Sequence, residues 1–65
     1  MTAPELKEIR EDLGLSQEAF ARELGVKSTG AVSRWEQGLN PITKDKENLI
    51  NLTAEKLKRV VKDGL

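Results

Sequence analysis

The chain has 65 residues, 37% of them hydrophobic, with one Trp, one Phe and no Tyr, Cys or His. A chain this short buries only about 60% of the surface that its unfolded form exposes, so we expect a single domain over residues 1–65 without a large ligand cavity. The lack of Cys and His excludes disulfides, thiol chemistry, the usual zinc sites and the commonest general base. We therefore expect no enzyme, no metal and no cofactor.

The charges balance overall but are unevenly distributed along the chain. Lys plus Arg and Asp plus Glu number 11 each, so the net charge is zero. Residues 1–25 carry three basic and six acidic side chains, whereas residues 26–46 carry four basic and two acidic ones. Such a chain can still present a positive face to an anionic partner. No apolar run is long enough for a signal peptide or a membrane span, so we expect a soluble intracellular protein with no membrane partner.

Two helices are predicted in the first 25 residues. The first covers about residues 3–13, because Thr2 and Glu5 have the spacing of a capping box and Gly14 can end the helix. Its apolar residues recur at intervals of three and four: Leu6, Ile9 and Leu13. The second helix covers about residues 17–24, with Ser16 as its N-cap and Gly25 as its end.

Two further helices are predicted in the rest of the chain. The third covers about residues 28–37 and ends before Gly38, but its start is ambiguous by about two residues, because either Ser28 or Thr29 can be its cap. Asn40-Pro41 interrupts the helical pattern. The fourth is one helix over about residues 44–62, because neither Gly nor Pro occurs before Gly64. The predicted fold is therefore all-α.

The second and third helices have the spacing of a helix-turn-helix, in which the second helix of the pair enters a DNA major groove. Gly25 and a few further residues connect them, and Ala21 provides the small side chain that two closely crossing helices need. A glycine between two short amphipathic helices also occurs in many helical domains. The geometry alone leaves both interpretations open.

Three segments carry a more specific signal: residues 15–21 (LSQEAFA), 24–26 (LGV) and 32–38 (VSRWEQG), followed by Pro41. Together they resemble the Cro/C1-type (Xre-like) helix-turn-helix family over residues 5–42. The resemblance implies a compact lambda-repressor-like bundle of four or five helices, dimeric binding to palindromic operators and transcriptional regulation. The stretch from Gly25 to Trp35 is one residue longer than the usual pattern, with Gly30 in the extra turn, which is similar to some antitoxin regulators.

Several polar residues of this region are candidates for DNA contact. Gln17 begins the second helix, where free N–H groups and the positive dipole end can meet a phosphate; the alternative is a solvent-facing residue with no such contact. Arg34 is the best candidate base reader, because a guanidinium can bond guanine O6 and N7 together. For Ser28 and Thr29 the alternative is capping, and for the lysines it is simple solvation. The DNA-binding candidates are Gln17, Lys27, Ser28, Thr29, Ser33, Arg34, Gln37, Lys44 and Lys46.

Three other residues receive structural assignments. The resemblance implies an ion pair between Arg10 of the first helix and Glu36, the residue after the aromatic one that ends the third helix. Trp35 follows Val32 by three residues on a core-facing stripe, so we expect it to pack in the core rather than to stack on a base.

The C-terminal helix carries apolar residues beyond those that a small core needs: Leu57, Val60, Val61 and Leu65. They predict a homodimer, at least on DNA, unless they only close the bottom of the core. The alternative function is a protein-interaction module of the same fold with little or no DNA binding. A protein partner such as a toxin fits either function.

Overall fold

Four α-helices form the described part of the chain, and it contains no strand. The computed structural model describes residues 1–28 and 30–63, with the side chains of residues 1–28 and 30–58. The helices are α1 (Ala3–Asp12), α2 (Gln17–Leu24), α3 (Gly30–Glu36) and α4 (Lys44–Asp63). The all-α prediction is confirmed, and the helix bounds agree with the predicted ones to within one or two residues, which is the usual uncertainty of a helix end.

The beginning of α1 has the predicted capping box. The Thr2 hydroxyl accepts a hydrogen bond from the Glu5 N–H at 3.3 Å, and the Glu5 carboxylate accepts one from the Thr2 N–H at 2.8 Å. Hydrogen bonding of the Glu5 carboxylate by the Thr2 backbone N–H, and secondly by the Thr2 hydroxyl, holds the pKa of Glu5 below its ordinary value. Two of the N–H groups that a helix start leaves unpaired are therefore satisfied within the first turn.

The turn after α2 depends on the left-handed backbone of Gly25, with φ of +74°. The Gly25 N–H donates to the Arg22 carbonyl at 3.0 Å, and the Val26 N–H donates to the Ala21 carbonyl at 3.0 Å. This pair of bonds is the Schellman motif, and a residue with a Cβ would be strained in it. The motif ends α2 abruptly and turns the chain toward α3.

Helix α3 begins at the late limit of its predicted range, and Gly30 does not lie in the turn where it was expected. The sequence placed the helix over 28–37 and Gly30 in an extra turn, but Gly30 is the first residue of α3 and has no positive φ. The Ser28 carbonyl accepts from the Ala31 N–H at 3.2 Å, so Ser28 belongs to the turn that precedes the helix. At the other end, the Gln37 N–H still donates to the Ser33 carbonyl at 3.0 Å, one residue beyond Glu36. Thr29 lies outside the described residues.

The core lies where α1 and α2 each pack against α3 and α4. Its buried residues are Leu6, Phe20, Ala21, Leu24, Val32, Trp35 and Ile50. Further apolar residues are only half-buried against this cluster, namely Ile9, Leu13, Leu15, Val26 and Leu49. Sequence reasoning missed Met1, which packs against the cluster, and Ala54, which is buried on α4.

Helix α4 is a single helix of 20 residues, as predicted. The Thr43 hydroxyl caps it by accepting from the Lys46 N–H at 3.3 Å. The predicted stop at Gly64 lies outside the described residues. In the part of the chain that the structure describes, no helix combines the length and the apolar character that a bilayer crossing requires.

Candidate nucleic-acid interface

Helix α3 has one face in the core and one face in solvent. Val32 is fully buried and Trp35 is 7% exposed, and both belong to the core cluster. Arg34 is exposed, and Ser33 is half-buried. The packing role predicted for Trp35 is confirmed, so the indole is not a platform for a base. The outward face of α3 is left to polar side chains.

Two hydrogen bonds order the polar side chains on this outward face. Arg34 Nη2 donates to Ser28 Oγ at 3.1 Å, and Gln37 Nε2 donates to Ser33 Oγ at 2.8 Å. Each bond leaves further donors and acceptors unused, because a guanidinium has five N–H groups and an amide has an oxygen and a second N–H. The Ser28 hydroxyl, considered as a helix cap from the sequence, accepts from Arg34. Four of the DNA-binding candidates therefore form two hydrogen-bonded pairs in the absence of DNA, namely Ser28 with Arg34 and Ser33 with Gln37.

The three candidate lysines flank α3 in the sequence. Lys27 lies in the turn before it, and Lys44 and Lys46 lie in the first turn of α4. All three are exposed, and none forms a hydrogen bond or ion pair through its side chain with another described residue. A cation in the first turn of a helix opposes the helix dipole, and an anionic partner such as a phosphate would offset this cost.

Arg10 and Glu36 form a bidentate ion pair between α1 and α3. Arg10 Nε lies 2.7 Å from Glu36 Oε2, and Arg10 Nη2 donates to Glu36 Oε1 at 3.2 Å. Arg10 Nη1 also donates to the Leu15 carbonyl at 2.8 Å, in the turn between α1 and α2. The Arg10 side chain is 13% exposed and that of Glu36 is 5% exposed. The pair therefore fixes the last turn of α3 against α1 from within the molecule.

Gln17 is attached to the same ion pair. Its Nε2 donates to Glu36 Oε1 at 3.1 Å, and the side chain is half-buried. One amide N–H is therefore used within the protein, and one remains for a phosphate. Ser16 caps α2 by accepting from the Ala19 N–H at 3.0 Å, which leaves the N–H groups of Gln17 and Glu18 without an intrahelical partner. The phosphate contact at this terminus stays a prediction.

The ionisation of the Arg10–Glu36 pair follows from these contacts. Burial raises the pKa of Glu36, but the hydrogen bonds from Arg10 and Gln17 and the charges of Arg10 and Lys7 lower it by more. The pKa of Glu36 therefore lies below its ordinary value. The hydrogen bond to Glu36 raises the pKa of Arg10 above its ordinary value, in spite of desolvation. Both partners are charged at neutral pH.

Sequence reasoning missed the hydrogen bonds among the candidates. The hydrogen bond between Ser33 and Gln37 could have been predicted from the sequence, because residues four apart share one face of a helix. The bond from Gln17 to Glu36 has none, because it joins two helices across 19 positions.

The comparisons agree with this architecture. Residues 6–54 match the family model described as Helix-turn-helix, which is about three quarters of the chain and reaches from α1 into α4. No curated protein and no solved structure matches the chain. The match includes α2, the turn at Gly25 and α3, which are the two helices and the turn of the motif. The chain therefore belongs to the Cro/C1-type helix-turn-helix family of DNA-binding regulators.

Proposed function

We propose that this chain is a sequence-specific transcriptional regulator of the Xre/Cro-C1 type, acting in the cytoplasm, and that α3 reads the DNA major groove. The observation that carries the proposal is the division of α3 into a buried face and an ordered polar face. Val32 and Trp35 hold the helix on the core, while Ser33 and Arg34 point away from it. A helix anchored in this way can present base-reading groups without exposing apolar surface.

Each candidate has a role in this proposal. Arg34 bonds a guanine edge, and Ser33 and Gln37 contact neighbouring base edges or phosphates. Ser28 holds Arg34 at the beginning of α3, and Thr29, assigned from the sequence alone, contacts DNA beside it. The remaining candidates contact phosphates, which position the protein without reading sequence. They are Gln17, Lys27, Lys44 and Lys46.

Selection of bound sequences from a random duplex pool tests the proposal, with Arg34→Ala and Lys44→Ala as the informative pair. We expect Arg34→Ala to weaken specific binding by about 1–3 kcal/mol and to relax the preference at one base pair per half-site. Lys44→Ala should weaken binding to all sequences alike and reduce the slope of affinity against salt by about one. An Arg34→Ala variant that selects the same motif as the wild type would refute the base-reading role.

We also propose that the protein binds a palindromic operator as a homodimer through the end of α4. The last buried residue described on α4 is Ala54, while the helix continues to Asp63. Leu57 follows Ala54 by three positions on the core-facing stripe, yet it is only half-buried. This supports an apolar stripe that the short helices do not fully cover. The other residues of the predicted interface, Val60, Val61 and Leu65, have side chains outside those described.

Sedimentation with and without a palindromic duplex tests the dimer. We expect two wild-type chains per duplex and one chain per duplex for Val60→Glu, because a charge would be buried in the contact. Leu52→Glu is the matched control: Leu52 is 66% exposed, and it lies two positions after the buried Ile50, on the opposite side of α4. It should leave two chains per duplex. One wild-type chain per duplex would exclude the dimer, and a loss caused only by Leu52→Glu would place the contact elsewhere.

One observation favours a second function, a protein-interaction module. The exposed residues of α1 include Glu5, Glu8, Glu11 and Asp12, so this helix presents a mainly acidic surface, in line with the excess of acidic side chains in residues 1–25. A basic partner, such as a toxin bound by an antitoxin-type autoregulator, would suit it. Steep salt dependence of duplex binding supports the DNA-binding function, whereas no measurable duplex binding supports the interaction module.

A further inference from the structure

Gly30, the first residue of α3, has no backbone reason to be glycine. Three other glycines, Gly14, Gly25 and Gly38, have φ between +70° and +76°, where a side chain is strained, but Gly30 does not. Alanine fits the backbone at this position and favours a helix more than glycine does. What distinguishes Gly30 is the space beside it.

That space is occupied by the guanidinium of Arg34. Residues four apart lie on one face of a helix, and long side chains lean toward the N-terminal end, so Arg34 passes over Gly30 to reach Ser28. A Cβ at Gly30 would lie 3.2 Å from Arg34 Nη1 and 3.8 Å from Arg34 Cζ. The first distance is tighter than an ordinary van der Waals contact. The bare backbone of Gly30 is thus the surface under the bond from Arg34 Nη2 to Ser28 Oγ.

We propose that Gly30 is a positioning residue: the absence of its side chain sets the Arg34 guanidinium at the beginning of α3 for base reading. The inference rests on the proposed function. The beginning of a recognition helix is the part that contacts base edges. Arg34 Nη2 uses only one of its two N–H groups on Ser28. Its second N–H and the adjacent N–H of Nε or Nη1 remain as the fork that can bond guanine O6 and N7. A methyl group at residue 30 requires the guanidinium to shift by a few tenths of an ångström from this place, although Arg34 itself is unchanged.

The test is a comparison of Gly30→Ala in two backgrounds, the wild type and Arg34→Ala. In the wild type we expect Gly30→Ala to weaken binding to the selected duplex about tenfold and to flatten the preference at the base pair read by Arg34. In the Arg34→Ala background the same change should alter binding by less than about twofold, because the group on which it acts is gone. The thermal midpoint should rise in both backgrounds, because alanine is the better helix former.

Three results would overturn the inference. If Gly30→Ala leaves the affinity and selected motif of the wild type unchanged, Gly30 does not position Arg34. If the loss is equally large in the Arg34→Ala background, the glycine provides clearance for the DNA itself. If the thermal midpoint falls, glycine is required at position 30 for the stability of the fold and not for the position of Arg34. A wild-type chain that selects no motif at all refutes the proposed function, and that result is distinct because it appears before any substitution is made.

Discussion

Replacing either Glu36 or Arg10 by alanine is expected to reduce the free energy of unfolding by about 2–4 kcal/mol, because each change leaves its partner charged and mostly buried. Without Arg10, the Glu36 carboxylate loses the bidentate contact at 2.7 Å and 3.2 Å. Without Glu36, Arg10 loses the only carboxylate with which it forms an ion pair in the described part of the chain. We expect the double variant to be destabilised much less than the sum of the two single variants. Urea unfolding followed by circular dichroism, in a double-mutant cycle, measures the coupling.

The chain contains a matched control for this cycle. Arg22 and Glu18 form an ion pair of 3.4 Å within α2, with side chains 75% and 66% exposed. Its coupling should be below about 0.5 kcal/mol, because exposed pairs are solvated and screened. A coupling for Arg10 and Glu36 no larger than that of the exposed pair would show that the buried pair does not hold α3 in place.

The coupling energy between Arg10 and Glu36 should decrease as the pH falls. The pKa of Glu36 is lower in the folded state than its ordinary value, so the folded state binds this proton more weakly than the unfolded state does. The stability from the pair is therefore fully present above the unfolded pKa, about 4.3, and is lost as the pH falls through the folded value. Arg10 stays charged throughout this range. Repeating the cycle at neutral pH and below about pH 4 checks the prediction.

Replacing Phe20 by alanine is expected to remove a large part of the free energy of unfolding. Phe20 is fully buried on α2, and removing a buried phenyl group costs about 3–5 kcal/mol. The total stability of a chain of this length is of the order of 3–10 kcal/mol, so one such change removes much of it. Leu52→Ala, at a position 66% exposed on α4, should change stability by less than about 0.5 kcal/mol.

Urea titrations at the same temperature compare the two variants. A Phe20→Ala protein with a folded baseline and a midpoint close to that of Leu52→Ala would contradict the prediction. It would mean that the core collapses around the missing ring instead of leaving a cavity.

Sequence reasoning located the helices because their boundaries are local. Thr2, Ser16 and Gly25 act on backbone groups within a few residues, so their effect is readable from spacing alone. The start of α3 stayed ambiguous by about two residues because Ser28 and Thr29 are both plausible caps by composition, and the Ser28 hydroxyl bonds Arg34 instead of capping. The hydrogen bond of the Ser28 hydroxyl depends on a side chain six positions away and on the absence of a side chain at Gly30. Capping rules, which consider only neighbouring residues, do not include either of them.

The sequence predicted one contact of the candidate site and missed the others, and the DNA contacts of its residues stay predictions. Resemblance supplied the pairing of Arg10 with Glu36, and helix periodicity separated Trp35 from Arg34. The bond from Gln17 to Glu36 depends on where α2 and α3 cross, which is a tertiary property. The burial of Met1 and Ala54 likewise follows from how α4 lies against the shorter helices.

The separation of the two faces of α3 has a consequence for how such a regulator diverges. Under the proposed function, Arg34 and Gln37 set the operator preference, while Val32 and Trp35 set the position of the helix. Substitutions at exposed positions usually change the free energy of unfolding by about 0.5 kcal/mol or less. The operator preference can therefore change without a prior substitution that stabilises the protein. After a gene duplication, two copies can therefore come to recognise different operators through a few substitutions in one short helix.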